Sequence, residues 1–273
     1  MKPGEFRPSF AVEGTPGDPD VVFAHANGFC KEVWRPVVSE LSHLHPHLRW
    51  LSVDLLGHGE NTETDGPFTI DAIARDVASK LEGCSPTVGV GHSSGGAAIA
   101  RVEALRPATF RNLVLIEPII YPPPYRMADV AIADAAQRRR EVFTDRQAAY
   151  DRFLDSPLRD WRPDALAAYV DFGFEDSPDG WKIKCLPRIE AEVFRQGLNH
   201  DTWDRLDQIS IPVTVVCGEH SDTHQEPHLT TFVERFRDAE LIVVPDVGHF
   251  VPMERPDVIA SIIQRILGDP SSR

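Results

Sequence analysis

The feature that most narrows what this chain can become is an alternation. Short runs rich in valine, isoleucine and leucine, each closed by glycine or polar residues, are followed by longer stretches with helical periodicity. Runs of the first kind fall at 21–26, 50–55, 87–91, 113–116, 213–217 and 241–244; stretches of the second fall at 34–44, 70–81, 97–105, 228–236 and 258–267. The runs read as strands buried on both faces. Strand followed by helix, repeated, predicts an α/β fold with a mostly parallel sheet flanked by helices. In the second helical stretch Ile70, Ile73, Val77 and Leu81 recur at three- and four-residue spacing, and Thr69 stands where an N-cap would.

The alternation stops after Ile116. Tyr121, Pro122, Pro123 and Pro124 cannot continue a strand, and the chain to about Ile209 is helical and loop-like before the strand pattern resumes at Val213. This predicts a core made of 1–118 and 210–273, with 119–209 inserted as a helical cap. A length of 273 residues, 42% of them hydrophobic, suits one α/β domain carrying such an insertion. The formal charge of −14 repels phosphate backbones and anionic lipid, so nucleic acid and membrane surfaces are excluded as expected partners. Cys30, Cys84, Cys185 and Cys217 are scattered and form no C-x-x-C, which suits a reducing compartment. With no apolar run at 1–8, a cytoplasmic protein is expected.

Between a strand and a helix, with no spacer, lies Gly91-His92-Ser93-Ser94-Gly95. A serine on a sharp strand-to-helix turn needs glycine two positions either side, so that neighbouring backbone can pass closely. Ser93 meets that condition; Ser94 has His92 at minus two. Ser93 is therefore the candidate nucleophile, and the backbone N–H of Ser94, at a helix N-terminus, is a candidate oxyanion donor. The small-residue turn after the first long strand, His25-Ala26-Asn27-Gly28, offers a second donor from Asn27 or Gly28, with His25 read as a buried brace. His249, preceded by Gly248 and following the last strand run, is the candidate general base. For the acid that orients it, Asp222 is preferred because it ends the strand adjacent in sequence to that of His249; Glu117, at the end of 113–116, is the alternative.

Three motifs together carry a family likeness. The elbow around Ser93, the turn Asp54-Leu55-Leu56-Gly57-His58-Gly59 and the late loop Gly248-His249 resemble those of the α/β-hydrolase superfamily. That resemblance implies an eight-stranded, mostly parallel sheet, a serine–histidine–acid triad in the chain order Ser93, Asp222, His249, and a cap between strands 6 and 7. It further implies a serine hydrolase acting through an acyl-enzyme on a small-molecule ester, with a lactone, a carbon–carbon bond or a non-catalytic receptor role as alternatives. His25-Ala26 departs from the commoner His-Gly, and Asn61 stands where serine often follows the D-x-x-G-H-G turn. No cofactor is expected, and no metal: His43, His45 and His47, and likewise His220, His224 and His228, match no recognised ligand pattern. Arg138, Arg139 and Arg140 read as a solvated helix face.

Overall fold

The structure, a computed structural model, describes residues 12–13, 18–123, 130–197 and 199–268. The described residues begin with β1 (Val12–Glu13) and β2 (Val21–Ala24), then α1 (Arg35–Leu44), β3 (Trp50–Val53), α2 (Ile70–Lys80), β4 (Thr87–His92), α3 (Ser94–Leu105) and β5 (Phe110–Ile116). The insertion follows: α4 (Val130–Gln137), β6 (Val142–Phe143), α5 (Arg146–Leu154), α6 (Pro163–Phe172), β7 (Phe174–Ser177), β8 (Gly180–Ile183) and α7 (Pro187–Gln196). The core closes with β9 (Val213–Gly218), α8 (His228–Val233), β10 (Ala239–Val244), α9 (Val251–Glu254) and α10 (Pro256–Gly268).

Seven strands form the main sheet in the order β1-β3-β2-β4-β5-β9-β10, all parallel except β1. The α/β class and parallel sheet agree with the expectation; the count among the described residues is seven rather than eight, and the insertion falls between the fifth and sixth of these in sequence. Nor is the insertion purely helical, because β6, β8 and β7 pair as a small antiparallel sheet. Its strands of two to four residues are too short to print a periodicity. No helix among the described residues is long and apolar enough to cross a membrane.

Successive strand residues divide between two cores, as a two-residue period demands. Val21, Phe23, Val88, Val90, Val114 and Ile116 face α1 and α10, meeting Val37, Leu41, Ile259 and Ile263. Val22, Ala24, Leu113, Leu115 and Val215 face α2 and α3, meeting Ile73, Val77 and Ile99. The first core runs on into the insertion through Phe29, whose ring lies 4.9 Å from that of Trp161 and 5.2 Å from that of Tyr169. Helix α2 starts where the sequence predicts: the Thr69 hydroxyl accepts the Ala72 N–H at 3.2 Å, a cap that stabilises by about 1 kcal/mol.

The strand order locates the site. From β2 the chain moves outward to β3, then jumps back across β2 to β4, so the carboxyl ends of β2 and β4 border the topological switch point where open α/β sheets bind ligands. What lets the two ends approach is Gly95. A Cβ there would sit 2.5 Å from the carbonyl oxygen of His25, and nearer still to that of Ala24. Both obstacles are backbone, which cannot swing aside. Gly95→Ala is accordingly expected to lower the unfolding free energy by about 3 kcal/mol, the upper end for overpacking, and denaturant titration of the purified variant reads this directly.

Candidate active site

Ser93 is the single residue between β4 and α3, with φ 55 and ψ −116. A positive φ costs a non-glycine residue about 1–3 kcal/mol and persists only where the surroundings over-determine it. They do: Ser93 N–H donates to Ile116 O at 2.9 Å, while its carbonyl accepts Ala97 N–H at 3.0 Å and Ile119 N–H at 3.3 Å. Ser93 keeps only 8% exposure, and Ser94 begins α3 with its N–H among the donors that a helix leaves unpaired.

The loop after β2 is held by two neutral histidines. His25 donates from Nδ1 to Ala26 O at 2.7 Å and accepts Leu55 N–H at Nε2, 3.1 Å, which makes it the brace the sequence suggests. His58 accepts Gly28 N–H at Nε2, 3.0 Å, and donates from Nδ1 to Leu56 O at 3.0 Å. Gly28 N–H is thereby spent, and of the two loop amides it is Asn27 N–H that has no partner among the described residues. The turn carrying His58 is fixed in its own right. Asp54, fully buried, accepts Lys31 N–H at 2.7 Å, Lys31 Nζ at 2.8 Å and Glu60 N–H at 3.0 Å, and Gly59 packs against it where no Cβ would fit. Asn61 supports the same turn by donating to Asp54 O at 3.2 Å and Asp76 at 2.9 Å.

The insertion grips this loop from the other side. Tyr169 OH donates to Gly28 O at 3.1 Å, Asn27 Nδ2 donates to Glu190 O at 2.9 Å, and Arg139 bridges Glu190 and Tyr169. Arg139 thus departs from the solvated helix face expected of its basic run. It follows α4 and turns inward, its side chain 23% exposed, because the buried Glu190 carboxylate needs a counter-charge.

His249 lies five residues past β10, in a loop tied to β4 by a His92 Nε2–H bond to His249 O at 2.9 Å. Its Nδ1 is 3.1 Å from Thr223 Oγ1 and 3.4 Å from Glu117 Oε2. Glu117 follows β5 directly, at φ 49, and is fully buried. Its Oε1 accepts Gly218 N–H at 2.7 Å; its Oε2 accepts the hydroxyls of Ser221 and Thr223, each at 2.6 Å. Burial pushes this carboxyl up, but the nearby imidazoles of His249 and His224, with the Ser221 hydroxyl, outweigh it and hold the group below the usual carboxylate range. Asp222, preferred from the sequence, is exposed, and no ion pair joins it to His249 among the described residues. The loop turns its neighbours Ser221 and Thr223 inward onto Glu117, which leaves Asp222 facing out. Register explains the reach of Glu117: Ile116 pairs with His92 on one side and Val216 on the other, so the next residue along β5 stands beside Ser93 and the β9 loop together.

An open groove of about 810 Å³ runs past His249 and Phe250, bordered by Asp155, Asp160, Asp222 and Glu254. Beside it Phe29, Trp161 and Phe250 form an aromatic cluster with ring centres 4.9 to 5.9 Å apart. Among the described residues one group has ligand atoms close enough to share an ion, Glu219, His220 and Asp246, all exposed. His224 is engaged elsewhere, donating to Pro118 O at 2.8 Å and stacking on Tyr121 and His228.

With this geometry in hand the class is plain: the chain belongs to the alpha/beta hydrolase family, whose description matches residues 21–262. Lipase LipV of Mycobacterium tuberculosis (strain ATCC 25618 / H37Rv) is 29% identical over 243 residues, covering 84% of this chain and 87% of the lipase. In fold the chain is similar to E-2-(acetamidomethylene)succinate hydrolase, with a TM-score of 0.80, 20% identity and 94% of each chain covered. It is likewise similar to the enol-lactonase from Burkholderia xenovorans LB400, with a TM-score of 0.73, 20% identity and coverage of 95% of this chain and 96% of that one.

The buried histidines set an acid limit on the fold. Burial, aided by the neighbouring imidazoles His25 and His249, pushes His58 and His92 down to about 3; burial likewise takes His224 to about 4. In the unfolded chain these groups titrate near 6.5. Because the folded values are depressed, the stability they confer is complete above about pH 6.5 and drains away as pH falls towards the folded values, by about 1.4 kcal/mol per pH unit for each imidazole. Urea unfolding measured between pH 7.5 and 4.5 should therefore show a steep decline that begins near 6.5; a flat profile over that window would contradict the neutral, buried assignment.

Proposed function

We propose that this protein is a serine hydrolase that cleaves a carboxylic ester of a small molecule through an acyl-enzyme on Ser93, with His249 as general base and Glu117, rather than Asp222, as the orienting acid. The observation that carries the reading is the strained Ser93 turn at the switch point, tied through its neighbour His92 (Nε2 to His249 O, 2.9 Å) to the loop of an imidazole whose Nδ1 is 3.4 Å from a buried, ionised carboxylate. Kinship with a protein named as a lipase agrees with it.

In the reaction so read, His249 Nε2 removes the Ser93 proton as Oγ attacks the carbonyl carbon. The oxyanion is received by Ser94 N–H at the start of α3 and by Asn27 N–H, the loop amide with no partner among the described residues. The imidazolium returns its proton to the departing alcohol, and a water activated by the same histidine releases the acid. Glu117 stays ionised throughout, which suits a carboxyl held below its usual range. The 119–209 segment acts as a cap: through Tyr169 and Glu190 it touches the loop that receives the oxyanion, and Trp161 faces the core aromatics beside His249.

Turnover of p-nitrophenyl esters by Ser93→Ala, Glu117→Gln and Asp222→Asn, together with mass spectrometry after a fluorophosphonate probe, tests the assignment. Loss of kcat by about 10⁴-fold is expected for the first two, and a change within about threefold for Asp222→Asn, whose charge is solvated. Full activity in Ser93→Ala removes the nucleophile. A severe loss in Asp222→Asn with activity kept in Glu117→Gln reverses the choice of acid. A folded protein that never labels at Ser93 favours a receptor instead, and faster turnover of lactones or dicarbonyl compounds than of any ester moves the substrate class while leaving the triad in place.

A further inference from the structure

Glu117 and His249 do not meet directly. Oε2 lies 3.4 Å from Nδ1, outside the normal range for an N–H···O bond, while Thr223 Oγ1 stands 3.1 Å from the same nitrogen and 2.6 Å from the same oxygen. We propose that Thr223 is a positioning residue, its hydroxyl inserted between the imidazole and the carboxylate so that it sets the tautomer of His249. The inference rests on the Ser93, His249 and Glu117 assignment.

Counting protons fixes the direction of each bond. Ser221 Oγ has one hydrogen, given to Glu117 at 2.6 Å, and accepts the N–H groups of Thr223 at 3.2 Å and His224 at 3.3 Å. Thr223 also has one hydrogen. A bond of 2.6 Å to an ionised carboxylate is short and charge-assisted, so that hydrogen belongs to Glu117. The 2.9 Å approach of the two hydroxyl oxygens then carries no hydrogen. Thr223 Oγ1 is left with lone pairs alone towards Nδ1, and it can only accept. His249 must therefore keep its proton on Nδ1 and present an unprotonated Nε2, the form a general base requires.

The carboxylate acts at one remove. Oε2 already accepts two hydroxyls, so the charge of Glu117 polarises Thr223 and Thr223 orients the ring. No proton crosses the threonine during the reaction: Nδ1 keeps its hydrogen while Nε2 gains and loses the one from Ser93. Two consequences follow for a side chain at 223. A hydroxyl is required and a methyl is not, so serine should replace threonine and valine should not.

The test compares wild type with Thr223→Val and Thr223→Ser, by ester kinetics and by ¹⁵N NMR of histidine-labelled protein, which reports the tautomer of His249 without any turnover. The expected results are a kcat lowered by about tenfold or more in Thr223→Val at unchanged KM, rescue by Thr223→Ser to within about threefold, and a wild-type resting enzyme with its proton on Nδ1. Wild-type kcat in Thr223→Val, an equal loss in both variants, or a wild-type proton on Nε2 would each overturn the role. The NMR result stands even where Thr223→Val fails to fold. Failure of the underlying triad looks different: Ser93→Ala or Glu117→Gln would then keep full activity whatever Thr223 does.

Discussion

Everything at the site depends on one approach of backbone to backbone, the start of α3 against the end of β2. With glycine at 95 the first turn of the helix lies on the carbonyls of Ala24 and His25, and with glycine at 91 the end of β4 passes under that same turn. Two segments about 65 residues apart in sequence thus become a single surface. Ser93 stands on one side of the seam and Asn27 on the other. The unusual φ of Ser93 belongs to the same constraint, since a relaxed turn would carry α3 away from the sheet. Its cost is met by three backbone hydrogen bonds, one of them to β5.

Around the seam the protein uses histidine as a rigid spacer. His25 and His58 each donate from Nδ1 to a nearby carbonyl and accept a backbone N–H at Nε2, spanning between two loops that the Lys31–Asp54 pair also ties together. The role needs a neutral ring, and burial supplies it. Placed beside them, the proposed catalytic imidazole differs in one respect. His249 keeps some exposure and borders an open groove, and among the described residues no hydrogen bond commits its Nε2 to the scaffold.

How much of this is legible in the sequence follows from how local each feature is. The elbow glycines, the Thr69 cap and the parallel strands are written within a few residues of where they act, and the structure has the same elements there. The acid is a different matter. Sequence neighbourhood suggests Asp222 because β9 precedes β10, yet the sheet sets β5 between β4 and β9, which brings Glu117 beside His249 and leaves Asp222 in solvent. The available signal was a glutamate ending an otherwise apolar strand just before Pro118, where a buried charge requires a partner. Thr223 carries no pattern at all, and Arg139 is disguised by its basic neighbours; both acquire meaning only from residues more than 25 positions away.

The grip of the inserted segment on the loop at 27–28 bears on how enzymes of this design can diversify. Insertions between core strands are often pictured as exchangeable hoods, free to vary because the scaffold beneath is self-sufficient. Here Tyr169 holds the Gly28 carbonyl and Glu190 O the Asn27 side-chain amide, both next to the proposed oxyanion donor, so the hood is part of the scaffold. Wholesale replacement would take away two of that loop's anchors along with the old selectivity. Under the proposed cap role, new preferences are more readily reached by altering single aromatics such as Trp161 while Arg139, Tyr169 and Glu190 stay in place, and descent under that rule preserves a common anchor beneath divergent surfaces.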